Sequence, residues 1–313
     1  MLGEISIFLF HRVSGDKKNW THATHVSIFE KCISYITRNY TVKTIEECLS
    51  AKGSIKPKKG KPLACITFDD GFKDNVTYAL PILEKYKCPA SFYMITGCID
   101  KGLPTWPHLY NNVFENTRKM KLVIDSEELG IKVDESFRSA EERIAYGIDL
   151  VKKIRFITPS EADNVLGIIK QSFDDVQDPQ HMMMTWNEVQ QIYKAGYAVG
   201  SHTYSHPMLS LIKDDNRLTY EMVHSGERIK EVCGSFPETI AYPFGLTDER
   251  VMKIAKEAGY KNGLIVGQRR YKPGYDTNLM GIPRIDIYAE ASWLKTYLRI
   301  TGGIEAIKKI VGR

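Results

Sequence analysis

Apolar positions along the chain follow two alternating rhythms. Short, mostly apolar runs at 5–10, 63–68, 90–95, 197–201, 239–242, 262–266 and 282–287 have the length and composition of buried strands. Between most of them, at 26–38, 75–86, 186–194, 218–232, 248–257 and 291–309, apolar residues recur every three or four positions, which predicts amphipathic helices. Strands of this kind alternating with helices predict a parallel sheet covered by helices, either open or closed into a barrel. Seven strands favour a barrel near the (β/α)8 type with a unit missing.

One interval breaks the rhythm. From 98 to 185 no strand is predicted, but helical stretches are. One opens at Ser139 with Glu142 three residues on, a capping-box pattern. Another opens at Thr158, with Pro159 at the first helical position. The interval is predicted to be a helical insertion on the barrel rim, within one domain spanning 1–313. Its two readings are a wall of the substrate site and a stabilising elaboration.

Composition narrows the class. With 43% hydrophobic and 26% charged residues the chain is an ordinary globular one, and disorder and low-complexity repeats are excluded. The net charge of +5 is too small and too scattered to argue for nucleic acid. The basic run at 56–61 reads as a solvated loop before a strand. Six scattered cysteines without a C-x-x-C pair predict buried free thiols in a reducing compartment. The first ten residues carry Glu4 where a signal peptide would have Lys or Arg, so they read as a strand. A cytoplasmic location is the expectation.

Five groups of chemically capable residues fall at the C-terminal ends of predicted strands, where barrel enzymes assemble their sites. Asp69 and Asp70 end the second strand, with Gly71 allowing a sharp turn; two carboxylates there suit a metal ligand beside a general base, though Asp-Asp-Gly is also a common turn. His202 and His206, at i and i+4, face the same way on a helical turn, as a metal requires. With Asp70 they make a three-ligand set that leaves positions open for water and substrate, the pattern of a catalytic divalent site. Tyr242-Pro-Phe-Gly245 is a turn whose backbone N–H groups could face the pocket, or an ordinary strand-to-helix connection. His11 and Arg12 end the first strand, and Arg284 and Asp286 lie on the last.

These residues resemble a known family. Thr67-Phe-Asp-Asp-Gly71 resembles the first motif of the polysaccharide deacetylases, carbohydrate esterase family four with its NodB-homology domain. Ser201-His-Thr-Tyr-Ser-His206 is similar to their second motif, and Tyr242-Pro-Phe-Gly245 to a variant third motif. Met184-Thr-Trp186 followed by Ala195-Gly196 also looks like the family's approach to the second motif. The resemblance runs from about residue 5 to 286, most of 98–185 excepted. It implies a distorted (β/α)7 barrel and metal-dependent hydrolysis of an N-acetyl group on a sugar. By position it makes Asp69 the general base and Asp70, His202 and His206 the ligands of one divalent ion, Zn²⁺ first, with Co²⁺, Ni²⁺ or Mn²⁺ as alternatives. It gives the Phe244 N–H a part in binding the oxyanion.

Two departures stand out. Ile240 and Ala241 occupy the place where the third motif carries an Arg that orients the base, and no C-terminal Leu-x-His-Asp motif supplies a general acid. Arg284 is the candidate for the first role. For the second, His11 matches an N-terminal His that looks to be the acid in relatives acting on poly-N-acetylglucosamine. The expected partner is an N-acetylated sugar, as a glycan or as a nucleotide- or lipid-linked precursor, with Trp106 and Tyr110 of the insertion as stacking surfaces for a ring. The basic C-terminal helix is either a barrel-closing helix or a peripheral contact with a membrane. Deformylation of a formamido sugar and a carbohydrate-binding pseudoenzyme are the alternative functions.

Overall fold

The computed structural model of the chain describes residues 3–15, 23–50, 60–126, 131–154, 159–287 and 292–303. Seven strands form its centre: β1 (Ile5–Phe10), β2 (Leu63–Phe68), β3 (Ser91–Met94), β4 (Ala198–Ser201), β5 (Thr239–Ala241), β6 (Asn262–Val266) and β7 (Ile282–Asp286). Around the ring the order is β1-β7-β6-β5-β4-β3-β2 and back to β1, and every pairing is parallel. The closing seam registers Ile5 with Leu63 through to Phe10 with Phe68. This is a closed (β/α)7 barrel.

All seven sequence-predicted strands lie in the ring, because each is buried on two faces and so reads as an apolar run. Alternate residues serve the two faces. Ile5, Ile7, Leu63, Cys65, Tyr93, Ala241, Leu264 and Ile282 form one cluster. Phe10, Phe68 and Phe92 pack as a row, with Phe29 of the first helix edge-on to Phe10. The helices of this unit are α1 (Val26–Asn39), α2 (Ile45–Ser50), α3 (Leu80–Lys85), α4 (Thr96–Lys101), α5 (Trp186–Lys194), α6 (Asp215–Cys233), α7 (Glu249–Glu257) and α8 (Trp293–Thr301). A single π-helical turn, Asn75–Ala79, leads into α3.

At the N-terminal end of the barrel, α2 sends Ile45 and Cys48 into the interior cluster. Glu46 accepts hydrogen bonds from Ser91 Oγ at the start of β3 (3.2 Å) and from Thr239 Oγ1 at the start of β5 (2.9 Å). Burial pushes its carboxyl pKa up, against the pull of these donors. All six cysteines are buried and unbridged.

The chain divides into two compact units, one of Met1–Lys101 with Met183–Arg313 and the other of Gly102–Met182. The second unit corrects the expectation of a strandless interval. It contains an antiparallel hairpin, Lys121–Ser126 with Ile131–Ser136, beside helices Trp106–Asn116, Ala140–Ile154 and Pro159–Ser172. The hairpin's first strand alternates buried Leu122 and Ile124 with exposed Lys121, Val123 and Asp125, a period-two pattern short enough to be overlooked. Tyr110 corrects a second expectation: fully buried in this unit's own core, with the Trp106 ring edge-on at 5.4 Å, it offers no face to a sugar. Thr158 and most of the basic 56–61 run lie outside the described residues. So do Lys308 and Lys309, and the described part of the C-terminal helix ends at Thr301. No helix among the described residues is long and apolar enough to cross a membrane.

Candidate active site

The site is built at the C-terminal ends of the strands. Asp69 follows β2, and its N–H donates to Phe10 O of β1 (3.1 Å), so strand pairing carries on to the first carboxylate. Simple alternation would send Asp70 to the opposite face. Instead Asp70 and Gly71 both adopt left-handed backbone, φ 74° and 80°, and the chain turns so that the second carboxylate joins the first. A non-glycine residue held there costs about 1–3 kcal/mol, which the surrounding structure must offset. A side chain at Gly71 would also meet Met94 Sδ at 3.0 Å.

His202 follows β4. Its N–H donates to Met94 O (2.8 Å), and its ring Nδ1 lies 2.7 Å from Ala241 O. A carbonyl only accepts, so Nδ1 carries a proton and the ring turns its Nε2 to the pocket, where, against its burial, the carboxylates of Asp69 and Asp70 raise the pKa of the ring. Nε2 is 3.4 Å from Asp70 Oδ1 and 3.8 Å from Asp69 Oδ2. His206 Nε2 lies 3.7 Å from the same Asp70 oxygen. One ligand atom from each of Asp70, His202 and His206 falls within 4.8 Å of the others. The expected helical turn between the two His is absent. Thr203 and His206 have φ of 67° and 60°, and a tight loop, not helical periodicity, brings the rings to 4.8 Å.

Asp69 is paired with Arg284, which β7 brings to the barrel interior. Nη1 and Nη2 donate to Oδ1 and Oδ2, both at 2.7 Å. Both groups are almost wholly buried, 2% and 0% exposed, so each charge depends on the other. Burial opposes ionisation of Asp69, yet the Arg284 charge, with His202 beside it, holds its pKa below the usual carboxylate value. Asp70 is likewise held well below that value: burial works against it, but hydrogen bonding with His202 and the charges of His11 and His206 prevail.

His11 stands at the end of β1, its side chain 32% exposed and its Nδ1 4.0 Å from Asp286 Oδ1. Burial raises the pKa of Asp286, against the pull of His11 and Arg284. The His11 carbonyl accepts from Asn75 Nδ2 (2.7 Å), and Asp74 binds Arg12 Nε (2.7 Å) and Val13 N (3.3 Å), so the segment after the Asp pair grips the end of β1. Phe244 has φ 58° and its ring centroid lies 4.9 Å from that of His206.

The structure therefore places Asp69, Asp70, His202, His206 and Arg284 in one cluster, with Phe244 against His206 and His11 beside Asp286. Sequence reasoning missed the gripping pair Asp74 and Asn75, the Ala241 carbonyl, and Glu221 of α6. Glu221 alone had a usable signal, since it falls on the buried stripe with Leu218, Met222 and Ser225.

Comparison with known proteins adds the family. The polysaccharide deacetylase family model matches residues 56–126 and 154–263, more than half of the chain. A peptidoglycan-N-acetylglucosamine deacetylase of Bacillus cereus is 31% identical over 74 residues, 24% of this chain and 26% of that protein. Chitin deacetylase 1 of Cryptococcus neoformans is 33% identical over 67 residues, 21% of this chain and 14% of that protein. These matches span about a quarter or less of the curated relatives' length. Among solved structures, the Streptococcus pyogenes deacetylase PplD superposes with a TM-score of 0.64 at 18% identity, covering 96% of this chain and 99% of that one. A de-N-acetylase from Aggregatibacter actinomycetemcomitans gives 0.57 at 16% identity, covering 95% and 99%. At such identities the likeness is one of fold. With the family model matching more than half of its residues, the chain belongs to the polysaccharide deacetylase family.

Proposed function

We propose that this chain is a metal-dependent hydrolase that removes an N-acetyl group from an amino sugar, in a glycan or in a nucleotide- or lipid-linked precursor. The observation that carries the reading is the Asp70, His202 and His206 cluster set beside an Asp69 carboxylate fixed by Arg284. Two imidazoles and one carboxylate, with one imidazole already locked in the ligating tautomer by Ala241 O, fit a divalent ion with open positions, Zn²⁺ foremost. Such an ion supplies Lewis acidity, polarising the acetyl carbonyl and making water a better nucleophile at neutral pH.

The chain's own groups do the rest. Asp69, kept ionised by Arg284, takes the proton of the attacking water. The backbone N–H of Phe244 helps hold the oxyanion, the kind of donor whose removal costs about 3–4 kcal/mol. His11, set beside Asp286, donates a proton to the sugar nitrogen, because an amine anion is too basic to leave unaided. The products are acetate and a free amino sugar. In this reading residues 102–182 are an insertion into one deacetylase domain.

The test is product release from N-acetylglucosamine oligomers and from nucleotide- and lipid-linked N-acetyl sugars, with N-formyl analogues alongside. Acetate release by the wild-type protein is expected, and Asp69→Asn should lower it by at least ~10²-fold. Formate release with no acetate would move the reading to deformylation. No acyl release from any of them would leave a carbohydrate-binding pseudoenzyme.

A further inference from the structure

The loop that carries both His ligands is held in an unfavourable shape. Thr203 is β-branched, yet its φ is 67°, and His206 has φ 60°; both are conformations that L-residues with bulky side chains avoid. Something outside the loop must hold it. Within the loop, Thr203 N–H donates to Ser201 Oγ and His206 N–H to Thr203 Oγ1, each at 3.1 Å. From one side, Thr96 N–H and Gly97 N–H at the start of α4 donate to Thr203 O (3.2 Å) and Tyr204 O (2.8 Å). From the other, α6 presents Glu221.

Glu221 is fully buried and belongs to no metal, acid or base group described above. Its Oε2 accepts from Ser205 N–H at 2.8 Å and its Oε1 from Ser205 Oγ at 2.6 Å, so both oxygens clamp one residue lying between the two ligands. Its backbone carbonyl also accepts from Tyr204 N–H at 3.0 Å. Arg217, one turn earlier on α6, donates to Oε1 at 2.7 Å and balances the charge. A buried carboxylate is costly unless it is paired and hydrogen-bonded, and here all of the bonds described except the one to Arg217 go to the His202–His206 loop.

We propose that Glu221 is a positioning residue for the metal: by clamping Ser205 it fixes the left-handed geometry that aims His206 at the same point as His202 and Asp70. The inference rests on the metal-dependent reading above. It places a determinant of metal affinity outside the motifs, on a helix whose sequence shows only one carboxylate on a buried stripe.

The experiment is Zn²⁺ titration of metal-free protein in competition with a chromophoric chelator, for wild type, Glu221→Gln and Ser205→Ala, with the melting temperature of each metal-free protein measured in parallel. Glu221→Gln is expected to weaken Zn²⁺ binding by about 10–100-fold, the range for residues that orient metal ligands. Ser205→Ala, which keeps the N–H to Oε2 bond, is expected to lose less. The melting temperatures of the metal-free proteins should differ far less than the affinities. Should Glu221→Gln fail to fold, Ser205→Ala alone decides. Wild-type affinity in either folded variant would overturn the proposal. Absence of Zn²⁺ binding by the wild-type protein would overturn the metal site itself, and this inference with it.

Discussion

Asp69 and Asp70 are identical side chains in adjacent positions, and the backbone gives them different partners. Asp69 continues the strand and meets Arg284; Asp70, turned by its positive φ, meets the two His. Neither assignment could be swapped without moving the strand end. Arg284 is 217 residues from Thr67 in sequence, and only barrel closure brings β7 and β2 to either side of β1. His11 belongs to the same scale. If it protonates the leaving nitrogen, His11→Gln should slow hydrolysis of an N-acetyl sugar by about 10²-fold or more, while an activated acetate ester, whose leaving group needs no proton, should lose much less. Equal losses on both substrates would assign His11 to positioning, and no loss on either would remove it from the reaction.

At the scale of elements, the site depends on close approaches that only small residues permit. Gly97 opens α4 against the His202–His206 loop, and a Cβ there would stand 2.6 Å from Tyr204 O and 2.9 Å from the Tyr204 ring. The backbone oxygen cannot yield without moving the loop. Gly97→Ala is therefore expected to lower Zn²⁺ affinity with the barrel intact; unchanged affinity would show that the loop has room to adjust. Element by element, legibility followed burial. The seven barrel strands were readable because being buried on both faces leaves an apolar run. The candidate site residues were readable because strand ends gathered them on one face. The His pair was read at the right spacing but with the wrong backbone, since i,i+4 spacing does not distinguish a helical turn from a loop with two left-handed residues. The 121–136 hairpin was hidden by its brevity. Asn75 and Ala241 O were hidden because they act through a hydrogen bond and a backbone atom, and neither leaves a mark on residue type.

For the whole molecule, the two ends of the barrel are chemically unequal. The C-terminal end collects the paired charges, while the N-terminal end is filled by apolar packing around Glu46 of α2. Because burial raises the Glu46 pKa, the folded state holds its proton more tightly than the unfolded chain does. Its contribution is therefore most favourable below the unfolded carboxylate pKa and is lost as pH rises through the folded value. Glu46→Gln, which cannot ionise, should match wild type in melting temperature at acidic pH and exceed it near neutrality. A gap independent of pH would mean that Glu46 is stabilised by its donors as an anion. The central claim, that Asp70, His202 and His206 hold one catalytic divalent ion, is tested most directly by elemental analysis of metal-reloaded wild type, His202→Ala and His206→Ala. About one equivalent per chain is expected in the wild-type protein, from the one three-ligand cluster among the described residues, and a steep fall in both variants. Full occupancy in both variants would contradict it.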